Sequence, residues 1–268
     1  MYVVDIKTLE LSYFSNGEPV PYKLKDGTII NIYPILVKDF PVYEWANQIL
    51  QIRKNEINDI KIIQMTYLEY ILSIVINDES SKYQLCKLLN LCLHEDYICL
   101  LDSNNKYYEK DGRPNIIFVD ENNIITHYIC PKDFDEISKI ILFQNDINYD
   151  DRYISPDMRK EIEQYYKLKY KDSTPPTIEK KKAFVISKTG ISLNEINNMV
   201  FRMFDQVYQA SIDSEIYIGN KIIQASQKYD VKGNIEHPMF EVKKDPILSA
   251  MGGDAEVFEN KIQQINNN

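Results

Sequence analysis

One pattern occurs twice in this chain and limits what it can fold into: a β-hairpin signal that runs through a Lys-Asp-Phe triplet into an apolar helix. In its first occurrence Lys25-Asp26-Gly27 is a turn signal ahead of a strand over 28–33, and Pro34 ends the ladder because proline has no N–H to donate. Lys38-Asp39-Phe40 then opens a helix with Val42, Trp45, Ala46, Ile49, Leu50 and Arg53 at helical spacing. Asp39, two residues ahead of Pro41, is the expected N-cap, and the apolar face is expected to lie on the hairpin. In the second occurrence 116–120 and 124–129 flank a Glu121-Asn122-Asn123 turn, and Pro131-Lys132-Asp133-Phe134 leads into a helix through Ile137, Ile140, Ile141 and Phe143. The spacing predicts an α+β fold of two β-hairpin-plus-helix units with a helical C-terminal region.

Two further helices are expected in the first half. One spans about 65–76, with Met65, Leu68, Tyr70, Ile71, Leu72 and Val75 leaving little polar surface; the other spans about 80–93, with Tyr83, Leu85, Leu88, Leu89 and Cys92 on one side. A second echo relates Ile57, Ile62, Met65, Tyr67 and Tyr70 to Ile191, Ile196, Met199, Phe201 and Phe204 at one constant offset. Two explanations stand side by side, a diverged internal duplication and coincidence in a chain rich in Ile and Tyr. The resulting division is an α+β region over 1–144, with repeats at 1–93 and 97–144, and an inserted helix and Pro-rich linker over 145–188. A helical pair over 189–229 and a mobile tail with a short helix over 230–268 follow. Ser192-Leu193-Asn194-Glu195 is a capping box for a helix through Met199, Met203 and Val207, and a partner helix over 214–229 would run antiparallel to it.

Chemistry is sparse. The net charge of -9 disfavours phosphate backbones and anionic lipid, so nucleic acid is not expected as the main partner and other proteins are. The residues after Met1 lack a basic, apolar leader, and no apolar run reaches the roughly 20 residues that span a bilayer, so the cytoplasm is expected and the membrane is not. Cys86, Cys92, Cys99 and Cys130 sit among apolar neighbours without zinc-ligand spacing and read as reduced, buried thiols. His94 reads as a cation at a helix C-terminus, His127 as an exposed or half-buried strand residue, and His237 as a turn residue. Asp146, Asp150 and Asp151 lack the glycine and terminal glutamate of a calcium loop, and Glu179-Lys180-Lys181-Lys182 reads as a solvated first turn. No catalytic, metal or cofactor residue is assigned, and no enzyme activity is expected.

The stretch 24–77 carries a resemblance. Its Lys25-Asp26-Gly27-Thr28 turn, the run Tyr33-Pro34-Ile35-Leu36-Val37-Lys38-Asp39, and Glu56-Ile57-Asn58-Asp59-Ile60 leading into Met65-Thr66-Tyr67-Leu68-Glu69-Tyr70-Ile71-Leu72 are similar to the N-terminal layout of hub-assembly and tail-assembly chaperone proteins of tailed phages. The resemblance covers about a fifth of the chain and carries no catalytic residues. It implies a chaperone-like tail or baseplate assembly protein that binds other phage tail or virion proteins, in the host cytoplasm during assembly or in the virion. The alternatives are a structural virion subunit of baseplate, hub or neck, and, more remotely, a bacterial enzyme whose site is not recognised. Pro238, Met239, Phe240, Ile247 and Leu248, in a Pro- and Gly-punctuated segment, are the candidate protein-interface residues.

Overall fold

A computed structural model describes residues 16–51, 59–76, 78–95, 97–100, 108–110, 112–146, 149, 160–162, 164 and 176–226. The chain divides into two compact units. The first comprises Met1–Asp150 with Ile191–Gln206, and the second Asp151–Gly190 with Val207–Asn268. The fold is α+β with a helical C-terminal region.

The first unit opens with the expected hairpin, β1 (Val20–Lys23) antiparallel to β2 (Ile29–Ile32), with Val20 opposite Ile32. Its turn closes because Leu24 N–H donates to Thr28 O at 2.8 Å and Gly27 takes φ 96°, a conformation in which any Cβ would be strained. Ile30 and Ile32 point inward while Ile29 and Asn31 point out, the alternation a one-sided sheet requires.

Asp39 is not the N-cap it was expected to be. A 3₁₀ turn over Val37–Asp39 precedes the helix Phe40–Gln51, Leu36 takes the N-cap position, and no side chain caps there. The first N–H is instead satisfied by the backbone: Val37 N–H donates to Met199 O and Phe201 N–H to Ile35 O, each at 2.9 Å, in a short Leu36–Val200 bridge. A long-range strand-like pairing thus sets the start of the helical turn upstream of Asp39. The helix also packs mainly on the helix Glu79–Leu93 rather than on the hairpin, and buries Tyr43, Ala46, Ile49 and Leu50 while Val42 faces outward.

The segment expected as one helix over 65–76 begins at Tyr67 with a reciprocal capping box. Glu69 N–H donates to Thr66 Oγ1 at 3.2 Å and Thr66 N–H to Glu69 Oε2 at 2.6 Å. From Ile71 to Val75 it widens to π geometry, with Ile76 N–H reaching Ile71 O at 2.8 Å. Leu68, Tyr70, Ile71 and Leu72 are buried. Helix Glu79–Leu93 is capped by Asp78, which accepts from Ser81 N–H at 2.7 Å, and ends on His94 at φ 56°. Tyr83, expected on its core face, is exposed at the helix edge near Trp45.

The second hairpin belongs to a three-stranded antiparallel sheet in the order β3 (Ile98–Cys99), β6 (Ile116–Val119), β7 (Ile125–Ile129). Between β3 and β6 lies a two-residue ribbon, β4 (Glu109–Lys110) paired with β5 (Arg113–Pro114). Asp120 Oδ1 closes the β6–β7 turn by accepting from Asn122 and Ile124 N–H, and Asn123 adopts φ 60°. Helix Pro131–Asn145 starts with proline in the first turn and ties back to the first hairpin: Asn145 Oδ1 accepts from Ile35 N–H at 2.9 Å and Gln144 Nε2 donates to Ile32 O at 3.2 Å.

Within this unit both halves run hairpin, helix, five-residue helix, break, helix. The five-residue helices are Ile60–Gln64 and Leu193–Asn197, and the helices after each break start at Tyr67 and Phe201. The contacts cross over as well. Phe40 stacks on Phe201 at 4.2 Å between centroids, and Phe134 lies 6.0 Å from Tyr67. Each Lys-Asp-Phe phenylalanine therefore meets the leading aromatic of the other half.

In the second unit the helix Ile178–Thr189 is capped by Thr177 and ends at Gly190, φ 73°. The antiparallel pair expected over 189–229 is not formed. After the short capped helix Leu193–Asn197 the chain forms one continuous helix, Phe201–Ala225, whose residues from Val207 onward belong to this unit. Ser211 does not break it because its hydroxyl donates back to Val207 O at 2.7 Å. Phe184 packs edge-on against Tyr208, and Lys188 pairs with Glu215 at 2.6 Å. The 178–189 helix thus lies beside this one with both advancing in the same direction.

Candidate functional site: a basic cleft and an apolar helix end

The β4–β5 ribbon, the turn of the first hairpin and the start of the helix Pro131–Asn145 enclose a small cleft of about 70 Å³ in the first unit. Four cations line it: Lys25 from the hairpin turn, Lys110 and Arg113 from the ribbon, and Lys132 from the helix start. The ribbon is held in place by Asn115, almost fully buried, whose N–H donates to Tyr108 O and whose Nδ2 donates to Arg113 O, both at 2.8 Å. Lys110 Nζ rests 3.6 Å above the Tyr128 ring. Among the described residues Lys25, Arg113 and Lys132 form no ion pair.

Beneath the cleft lies Asp133, 5% exposed. Its carboxylate accepts from Tyr22 Oη at 3.1 Å, from Lys25 N–H at 3.2 Å and from Cys130 Sγ at 3.1 Å. Burial, then Asp133, pushes the Tyr22 phenol well above its ordinary range, so it remains a donor. Burial likewise raises the Cys130 thiol, which lines the cleft as a thiol rather than as a nucleophilic thiolate.

A second surface lies at the far end of the helix Phe201–Ala225. Ile216, Ile218, Ile222 and Ile223 are between 43% and 65% exposed within little more than two turns. At about 100° per residue Ile218 and Ile222 share one face of the helix end, and Ile216 and Ile223 lie together on the opposite side.

The residues singled out in the sequence occupy other places. Pro238, Met239, Phe240, Ile247 and Leu248 lie outside the described residues, as do His237, Asp150 and Asp151. His94 caps its helix in the left-handed conformation and stacks on Tyr33 at 3.8 Å. His127, expected exposed or half-buried, is buried. It stands directly opposite Phe118 in the β6–β7 register and stacks on that buried ring at 4.3 Å. Thr126 Oγ1 donates to Phe118 O and lies 3.0 Å from His127 Nδ1. With the hydroxyl proton so engaged, the network assigns the ring proton to Nδ1. Burial holds this imidazole below its ordinary value.

All four cysteines are free. Cys92 and Cys130 are buried, and Cys86 and Cys99 are half-buried, less enclosed than the sequence suggested. Lys181 lies 4.9 Å from the Tyr208 ring, so the Lys180–Lys182 run is not solvated throughout. Among the described residues no group of three or more His, Cys, Asp or Glu is placed to hold a metal, and no helix is long and apolar enough to cross a membrane.

Nothing in the sequence marks the cleft. Lys25 reads as a turn residue and Lys132 as part of the repeated triplet, Lys110 and Arg113 belong to no motif, and only the packing of the hairpin on the helix start brings them together. No protein family, curated protein or solved structure matches the chain.

Proposed function

We propose that this protein is a non-enzymatic, protein-binding factor of tail or baseplate assembly in a tailed phage, working as a chaperone-like partner of other tail proteins in the host cytoplasm. The observation that carries the protein-binding part is the exposed pair Ile218 and Ile222 on one face of the helix end, apolar area that a bound partner would bury. The tail-assembly part rests on the resemblance of residues 24–77 and on an acidic surface that disfavours nucleic acid and anionic membranes.

Three measurements test the reading. In cells assembling particles, tagged protein should co-purify with tail proteins, while mass spectrometry of finished particles should find it absent or far below stoichiometric. Stoichiometric presence would make it a virion subunit instead, and co-purification with no tail protein would overturn the reading. The double substitution Ile218→Asp, Ile222→Asp should abolish co-purification with the far-UV spectrum unchanged. Undiminished co-purification would place the binding surface elsewhere.

A further inference from the structure

We infer that the cleft between the β4–β5 ribbon and the start of the helix Pro131–Asn145 is a binding site for a single small oxyanion, a phosphate or a carboxylate. The inference is independent of the tail-assembly reading. It begins from charge. The chain carries 40 acidic and 31 basic side chains, so a surface cation has carboxylates in ample supply, yet Lys25, Arg113 and Lys132 converge on one cleft without an ion pair among the described residues. Gathering like charges costs repulsion that a concave surface increases by excluding water, and an anion in the cleft removes that cost.

The nearest buried acid does not relieve it. Asp133 spends its two oxygens on the Tyr22 hydroxyl, the Lys25 backbone N–H and the Cys130 thiol, none of them one of the cleft's charged groups. The helix that opens at Pro131 adds the positive end of its dipole.

The site is also pre-organised. Asn115 pins the ribbon that carries Lys110 and Arg113, and the Tyr128 ring holds the Lys110 ammonium, so the backbone frame of the cleft and one of its cations are in place before binding. Arg113 offers the planar fork that grips two oxygens of one anion, and Lys25 and Lys132 supply point charges. The volume of about 70 Å³ has room for one phosphate or carboxylate group.

The test uses the full chain and two probes, inorganic phosphate and a short acetylated Asp/Glu peptide, titrated at constant ionic strength with chloride as control. Amide chemical shifts of Gly112, Arg113 and Lys132 are the readout. Saturable shifts with either probe, absent with chloride and weakened at least about tenfold in Arg113→Gln, Lys132→Gln, are expected, since each lost charge-assisted contact removes roughly a factor of ten. Response to phosphate identifies a free ion as the ligand, and response to the peptide alone identifies a protein carboxylate. Both substituted residues are exposed, so the fold should be intact by Trp45 fluorescence. Should the double variant unfold, Lys25→Gln, also exposed, serves in its place. No saturable shift with either probe, or equal shifts in the variant, overturns the inference.

Discussion

The two Lys-Asp-Phe triplets are identical in sequence, yet their aspartates occupy very different surroundings, and the difference is measurable. Asp133 is buried and joins the first hairpin to the helix Pro131–Asn145 through three donors, at 3.1, 3.2 and 3.1 Å. Asp39 is half-exposed and makes no side-chain hydrogen bond among the described residues. Asp133→Ala removes a charged acceptor whose bonds are worth about 1.5–3 kcal/mol each when fully buried. Lys25 is exposed, Tyr22 is half-buried and a thiol is a weak donor, so water recovers part of the loss and the net cost should be about 2–3 kcal/mol. Asp39→Ala should cost no more than about 0.5 kcal/mol, as for other surface changes. Equilibrium urea unfolding followed by the fluorescence of Trp45, the chain's one tryptophan, measures both in the unit that holds them. Equal losses for the two variants, or a loss below about 0.5 kcal/mol for Asp133→Ala, would refute the assignment of Asp133 as the tie between hairpin and helix.

Three further outcomes are expected. His127 has its folded-state pKa lowered by burial, so the unfolded chain takes up the proton first; stability should be full above the ordinary value of 6.5 and fall as pH drops from there toward the depressed value, by at most about 1.4 kcal/mol per pH unit. His127→Gln should remove that slope in thermal melts run across pH, and an unchanged slope would assign it to other groups. Burial, then neighbouring Cys99, pushes the Cys86 thiol up to about 11, and burial raises Cys92 further, so both should alkylate far more slowly at pH 8 than a free thiol, as read by peptide mass spectrometry; rapid labelling of Cys92 in the native protein would contradict its burial. Truncation after Tyr229 removes Pro238, Met239, Phe240, Ile247 and Leu248, and should abolish partner binding without lowering the melting temperature; retained binding with earlier melting would make that segment core.

Local signals in this chain were legible where the physics is local. Both hairpins, the turn at Lys25-Asp26-Gly27, the Ser192–Glu195 capping box and the helix beginning at Pro131 follow from residues within a few positions of one another. Periodicity placed Leu85, Leu88, Leu89 and Cys92 in the core, where they lie. Two of the readings that changed depended on a distant partner. Asp39 lost its capping role because the Leu36–Val200 bridge starts the helical turn at Val37 and places Asp39 inside it, and His127 is buried because Phe118 stands opposite it. The helical pair expected around Ser214 is replaced by the continuous helix Phe201–Ala225, within which the Ser211 hydroxyl donates back to Val207 O. The basic cleft is the extreme case. Its cations come from three segments that carry ordinary turn, loop and helix-start signals, and their shared position arises only when the first hairpin docks on the helix Pro131–Asn145. Sequence alone determined which segments turn, extend and coil, because those preferences act over a few bonds. Tertiary structure decided which charges meet, because that depends on contacts between residues about a hundred positions apart.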